Sequence, residues 1–413
     1  MPSFSASIQR TQLDNNTLHF TLRGTDEYGL DKSIVNSLRR TLMSEIPAVA
    51  FRVAEDSQKD ITIELNNTSL HNEFILHRLS MIPLFIDPET YENQYLFYLN
   101  VKHDSNEPFL FVTTDDIQIF PLKPGIQEPS TPPQLSEYDM SKPLSKELHE
   151  EIFRPFEFRG KRYPILLTEL KSTHVEGKYQ ELICYGSPSV SDGRENACWK
   201  AVSDATYTFT KNEELFMRTA QAKAGQKKII DDDKRKEFIE SLRLSESERY
   251  FYRDIYNEPN QYDMVITSVH AKTSRELFIQ ATELMMDKLS SVKSQMIQLI
   301  KQESTSISIL PHKHANTYII QLNGQNDTLG NVLQSHIVNK HCQSDSLLSV
   351  CGYKKSHPLE EHVSLYVSIN PNHEAMSKSE EMKINSLVHF MDEVIEDLLK
   401  IYRNIAEEAR KQL

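Results

Sequence analysis

The sequence predicts an α+β protein made of two related modules, the first interrupted by a mainly β insertion. Three observations carry that prediction. A strand-then-helix pattern near residue 16 returns near residue 316, each copy reaches a long amphipathic helix, and residues 85–202 hold strand-like segments with no counterpart in the second copy.

The repeat begins with a strand. Asn16 to Gly24 and Asn316 to Gly324 both read Asn-Thr, four residues, Leu, one residue, Gly, and both alternate apolar with polar side chains. A helix follows in each, from Ser33 to Leu42 and from Thr328 to Ile337, each opening at a hydroxyl residue able to cap it. Val35, Leu38 and Leu42 form an apolar stripe at helical spacing, as do Leu329, Leu333 and Ile337. These six are the expected internal pairing seam, and Pro47 ends the first helix. Two further strands are expected in each copy, at Val49 to Val53 and Ile61 to Leu65, and at Leu348 to Tyr353 and Val363 to Ile369. The closing helices run from Ser274 to Gln302 and from Ser379 to Lys411, with apolar seams suited to helix-on-helix packing.

The insertion contains strand-like stretches at Tyr95 to Val101 and Phe109 to Phe120. Six of the 18 prolines crowd between Pro121 and Pro143, so that stretch reads as an exposed or disordered excursion. The charged run Lys227 to Lys236 reads as a solvated turn or helix face, and Glu303 to Asn316 as a linker. The expected boundaries are 1–84 and 203–303 for the interrupted first domain, 85–202 for the insertion, 304–315 for the linker and 316–413 for the second domain.

A net charge of −13 disfavours binding nucleic acid by the chain as a whole. No apolar run approaches a membrane span, and residues 1–16 lack the apolar stretch of a signal peptide, so an intracellular protein is expected. Four scattered cysteines, Cys184, Cys198, Cys342 and Cys351, imply reduced thiols rather than a disulfide framework.

Four blocks resemble the α-like assembly subunits of multisubunit DNA-directed RNA polymerases. Residues 36–42 with Glu45, Ile46 and Pro47 look like the family's Asn-Ala-Leu-Arg-Arg helix followed by Glu-hydrophobic-Pro. Residues 67–84 are similar to the block ending His-Arg-Leu-x-hydrophobic-Ile-Pro-Leu. Residues 193–202 look like Gly-Arg-Glu-His-Ala-Lys-Trp-x-Pro-Val, departing at Asn196, Cys198 and Ala201. Residues 326–333 and 351–360 are similar to Asp-His-Thr-Leu-Gly-Asn and Gly-Tyr-x-x-x-His-Pro. The first three blocks resemble the D-like module of archaeal polymerases and the third largest subunit of eukaryotic polymerase II; the last resembles the archaeal L-like module and the eleventh largest.

The resemblance implies an α-like dimerisation fold in two pseudo-twofold modules, normally separate chains, fused here. It implies a non-catalytic assembly platform for transcription that docks the largest and second-largest subunits, together with small assembly subunits. Nucleic acid would be met only through the complex, and no membrane is involved. It assigns docking to Arg39, Arg40, Glu45, His77 and Arg78. On the helix the two arginines point about 100° apart, and both are expected to face away from the stripe. Such fusions are known in large cytoplasmic DNA viruses, which would place the protein in host cytoplasm and virion; otherwise the nucleus is expected. Some relatives carry a cysteine cluster in the insertion, whereas only Cys184 and Cys198 lie there, so no metal or cofactor is expected.

No catalytic motif competes strongly. His357 to His362 places its histidines five apart with Pro358 after the first, unlike zinc protease signatures. His341, Cys342 and Cys351 lack structural zinc spacing, and Trp199 reads as a packing residue. Walker loops, dinucleotide glycine patterns and a magnesium-holding aspartate motif are all missing from the sequence. The two rival readings are a freestanding interaction scaffold and a hydrolase using His357, Glu361 and His362.

Overall fold

A computed structural model describes residues 4–13, 16–26, 29–53, 60–105, 107–126, 129–130, 132–172, 178–301, 306–314, 316–342, 346–357, 359–377 and 379–413. The chain divides into two compact units, one formed by residues 1–42, 204–267 and 274–413 and the other by 43–203 and 268–273.

In chain order the elements open with β1 (Ser7–Leu13), β2 (Thr17–Arg23) and α1 (Lys32–Ser44). Then come β3 (Ala48–Ala50), β4 (Ile61–Asn66), α2 (Asn72–Ser80), β5 (Tyr95–His103), β6 (Phe109–Thr113) and β7 (Ile117–Pro121). They are followed by α3 (Lys146–Phe153), β8 (Phe156–Phe158), β9 (Lys161–Tyr163), β10 (Leu166–Lys171), β11 (Gln180–Gly186) and β12 (Ser189–Ser191). The chain continues through β13 (Val202–Phe209), α4 (Glu213–Gln226), α5 (Asp232–Glu246), β14 (Gln261–Ser268) and α6 (Ser274–Ile300). It closes with β15 (Ile307–Pro311), β16 (Thr317–Asn323), α7 (Asp327–His341), β17 (Leu348–Lys354), β18 (His362–Ile369) and α8 (Glu380–Gln412).

In the first unit, one four-stranded sheet is ordered β1-β2-β14-β13 and another β15-β16-β18-β17. Each is built along a path of two antiparallel strands, a helix, two more strands and a long closing helix, with α4 and α5 added between β13 and β14 in the first. The central strands β2 and β16 alternate buried and half-buried side chains along their length, as the sequence pattern requires of a sheet with one covered face. The strands expected after α1 do form, as β3 and β4, but not in the sheet of β1 and β2. The counterparts of β17 and β18 in that sheet are β13 and β14, because the insertion separates α1 from the rest of its sheet, so the segments next in sequence are β3 and β4 of the other unit.

The helix caps also differ from the expected hydroxyl residues. Asp31 Oδ1 accepts from the Ser33 amide at 2.7 Å, and Asn326 Oδ1 from the Thr328 amide at 3.1 Å. Both caps stand two residues before the hydroxyl, which lies buried in the first turn. The expected linker instead supplies β15, paired with β16 from Ile307↔Leu322 to Pro311↔Tyr318. Residues 302–305 and 315 of that segment, and Pro358, lie outside the described residues.

In the second unit, strands β4-β11-β5-β7 form one antiparallel sheet, with β10-β6, β12-β3 and β8-β9 as two-stranded pairs. Its core joins Phe51, Ile75 and Leu79 to Phe97, Leu99 and Phe153. Phe97 meets Phe51 and Phe153 edge-on, at 5.3 and 5.8 Å between ring centres. The compact unit therefore starts at Met43, ahead of the expected residue 85, because residues 49–86 share this core. The proline-rich stretch is anchored too: Tyr138 is 1% exposed against Leu96 and Phe120. The charged run near Lys227 links α4 to α5, and α5 buries none of its residues.

Gly330 fixes how closely α7 lies on its sheet. A Cβ there would come 2.7 Å from Val363 Cγ1 of β18 and 3.0 Å from the Tyr353 ring of β17. Gly330→Ala should therefore destabilise the chain by about 1–3 kcal/mol, despite the better helix propensity of alanine. Urea unfolding checks this; an unchanged or raised midpoint would mean that the sheet yields.

Candidate assembly interfaces

The two halves of the first unit meet through α1, α6, α7 and α8. Asp31, which caps α1 with one oxygen, accepts with the other from Ser335 Oγ at 2.6 Å and Asn339 Nδ2 at 2.9 Å, both on α7. In the opposite sense, Arg40 Nε near the end of α1 donates to Thr328 Oγ1 in the first turn of α7, at 2.8 Å. The start of each helix thus faces the later turns of the other, as two copies related by a pseudo-twofold axis would be arranged.

All six stripe residues are buried, none more than 1% exposed. On α7, though, Leu333 and Ile337 share the face of Gly330, which lies on β17 and β18 of its own half. The side chains that reach α1 are Thr328, Ser335 and Asn339, on another face. An apolar stripe is claimed first by the nearest sheet, and sequence periodicity does not say which surface receives it.

The long helices α6 and α8 run antiparallel. Lys293 pairs with Asp392 at 3.2 Å and with Glu396, whereas Arg410 pairs with Glu283 and accepts at its carbonyl from Arg275. Between these rims Met285, Leu289, Val292 and Met296 of α6, and Met391, Val394, Leu398 and Tyr402 of α8, are at most 1% exposed. The Ser37 hydroxyl donates to the Ile34 carbonyl and accepts from the fully buried Tyr402 hydroxyl, both at 2.6 Å. The first strand joins this contact, the Ala6 amide donating to Asn404 Oδ1 at 2.6 Å.

The second unit holds a different surface. Phe74, His77, Arg78 and Met81 fall on one side of α2 and its C-cap, with Phe74 62% and Met81 52% exposed. His77, Ser80 and Met81 border a cleft of 240 Å³ with Arg52, Glu195, Cys198 and Trp199. Arg52 holds Glu195 bidentately at 2.7 and 3.1 Å and lies 5.2 Å from the centre of the Trp199 ring. Hydrogen bonds from Arg52 and Ser191 hold the Glu195 carboxyl below its ordinary range. Burial raises the carboxyl of Asp60, which accepts from the Arg52 amide and the Ser189 hydroxyl.

The remaining residues of the 193–202 block build this wall. A Cβ on Gly193 would sit 2.9 Å from the Met43 carbonyl, Asn196 caps a short turn at the Cys198 amide, and the indole of Trp199 donates to the Ser189 carbonyl at 3.0 Å. Burial pushes the thiols of Cys198 and Cys184 up to about 11 and about 12.

The residues assigned to docking are distributed unevenly. Arg39 is half-buried and donates to Asn36, while Arg40, expected to face away, reaches Thr328. Glu45 is 6% exposed, and exposed Arg78 donates to the Leu167 carbonyl at 2.6 Å. His77 is exposed beside the cleft. Sequence reasoning does not single out Asp31, Ser335, Tyr402 or Phe74; the equal spacing of Asp31 and Asn326 ahead of Ser33 and Thr328 is the available signal for the first. Nor do His357, Glu361 and His362 converge: among the described residues the one potential three-ligand cluster lies elsewhere.

The RNA polymerase Rpb3/Rpb11 dimerisation domain matches residues 25–289, and the chain belongs to that family. It is 27% identical over 292 residues to DNA-directed RNA polymerases I and III subunit rpac1 of Dictyostelium discoideum, covering 66% of this chain and 78% of that protein. Shorter likenesses reach 40% identity over 77 residues with DNA-directed RNA polymerases II, IV and V subunit 3 of Arabidopsis thaliana, covering 19% of this chain and 20% of that protein. DNA-directed RNA polymerase II subunit rpb3 of Dictyostelium discoideum is 36% identical over 80 residues, 19% of this chain and 22% of its own length. Residues 316–413 lie outside the matched family span; what they share with the first half is sheet order and helix placement.

Two outcomes follow from the interface. Asp31→Ala removes a cap and two cross-half hydrogen bonds, and should cost roughly 2 kcal/mol or more in urea unfolding; a loss below about 0.5 kcal/mol would demote this contact. Residues 1–303 and 304–413 coexpressed as separate chains should copurify, because the α6–α8 contact does not depend on the peptide link. Independent elution of two folded halves would contradict that expectation.

Proposed function

We propose that this chain is a non-catalytic assembly subunit of a DNA-directed RNA polymerase, with two α-like modules paired inside one polypeptide. The observation that carries the reading is the matched strand order of two sheets whose helices make opposed contacts, in a chain that belongs to a polymerase dimerisation family. Pairing within one chain raises the effective concentration of the second module over that of a free partner. The resulting platform would present fixed surfaces to the largest and second-largest subunits, with smaller assembly subunits completing the complex.

The face bearing Phe74, His77 and Met81 is the docking surface we favour for one large subunit. Exposed large apolar side chains beside a polar cleft mark protein contacts more often than isolated apolar residues do. Arg39 is retained as a second docking residue. Arg40 is assigned instead to the contact between α1 and α7, and Glu45 and Arg78 to internal support within the second unit, given their internal partners or burial. The fusion favours a large cytoplasmic DNA virus as the source, with the complex in host cytoplasm and virion.

Capture of the second-largest and largest subunits from the source, by the full chain and by Phe74→Asp with Met81→Asp, tests this reading. The double variant should keep its melting temperature and lose at least about tenfold in capture of one large subunit, with Arg39→Ala giving a separate loss. Unchanged capture by the double variant would move docking away from α2. Absence of both large subunits from captures by the unmodified chain would leave a freestanding scaffold.

A further inference from the structure

We infer that His336, His341 and Asp397 form a binding site for one divalent first-row transition metal ion, of the zinc class, that clips α7 to α8. One candidate ligand atom from each residue lies within 4.8 Å of those of the other two. His336 is 3% exposed, and its Nε2, like that of His341, has no hydrogen-bond partner among the described residues. Buried imidazole nitrogens ordinarily find a partner, so two orphaned nitrogens beside one carboxylate form a donor set lacking its acceptor. Two imidazoles and a carboxylate suit a borderline cation, with bonds of about 2.0–2.2 Å. A modest rotation of half-buried His341 or Asp397 would bring the three to ligand spacing, and water could complete the coordination.

The surroundings agree with this assignment. His336 is buried and His341 half-buried, so neither orphaned ring nitrogen faces open water. The His341 ring stands edge-on to Phe390 of α8, 5.4 Å between centres, and 5.6 Å from the His336 ring. Asp397 also pairs with Lys400 at 3.0 Å, a partner at 66% exposure that it can release or retain while binding metal through its other oxygen.

Zinc is the probe. The full chain, stripped with a chelator and dialysed against limiting Zn²⁺, should retain close to one ion by mass spectrometry, and melt at a higher temperature than the stripped protein. Co²⁺ should give the visible absorption of a nitrogen- and oxygen-ligated site, without thiolate charge transfer. His341→Gln and Asp397→Asn, both at the rim, should each weaken zinc at least about tenfold and abolish the zinc-dependent rise in melting temperature. Their melting without metal should match that of the stripped parent. Cys342→Ser, a nearby control, should bind as the parent does. Failure of the folded parent to retain zinc, or retention unchanged in both rim variants, would overturn the assignment, the second result marking an adventitious ion elsewhere.

Discussion

Neither α6 nor α8 can bury its apolar side without the other, and this mutual dependence governs the first unit. Each is long, 27 and 33 residues, and each carries a run of Met, Leu, Val or Tyr side chains with no accessible surface to spare. Exposing either face would forfeit on the order of 1.5–3 kcal/mol for each large side chain. The rim pairs Lys293–Asp392 and Arg410–Glu283 add little energy at such exposure, but they fix register and antiparallel direction. Once that direction is set, α1 and α7 are brought start against end, and the short polar contacts of Asp31 and Arg40 become possible.

Much of this was legible in sequence because it rests on periodicity. The strands at residues 17 and 317, the helices after them and both closing helices fall within a few residues of expectation. What periodicity misses is addressed to distant partners. A stripe such as Leu333 and Ile337 announces burial, yet whether it meets its own sheet or a second module depends on a contact with β17 and β18, settled by the bare Cα of Gly330. The strands expected after α1 form, but in other sheets, for a related reason: chain proximity stood in for sheet proximity, and a whole unit intervenes. Likewise β15 is short and its sequence, rich in Ser and Thr nearby, resembles a connector until β16 is present to pair with it.

The motif blocks proved informative about identity and less so about role. In the 193–202 block, Gly193 admits a backbone carbonyl, Glu195 grips Arg52 and Trp199 fills a small core with Ala48 and Ala50. Those duties are structural, and they explain why a departure such as Cys198, half-buried beside the cleft, is accommodated. Arginines invite assignment to surfaces for similar reasons, but Arg40 and Arg78 each commit a donor internally, to a hydroxyl and to a strand carbonyl. His336 and His341 stand five apart on one helix, with the carboxylate on another, a separation outside short metal signatures; only the folded pairing of α7 with α8 reveals them together.

The short passage from Ile300 at the end of α6 to Ile307 at the start of β15 has a consequence for stoichiometry. Two free subunits with similar dimerisation surfaces face three possible pairings, two of them unproductive like-with-like dimers, and the cell must make both in balance. On the proposed reading, translation of this single message delivers the two modules in equal number and already neighbours. Sorting is thereby settled at synthesis, and mismatched pairing could recur only by exchange of a module between two chains.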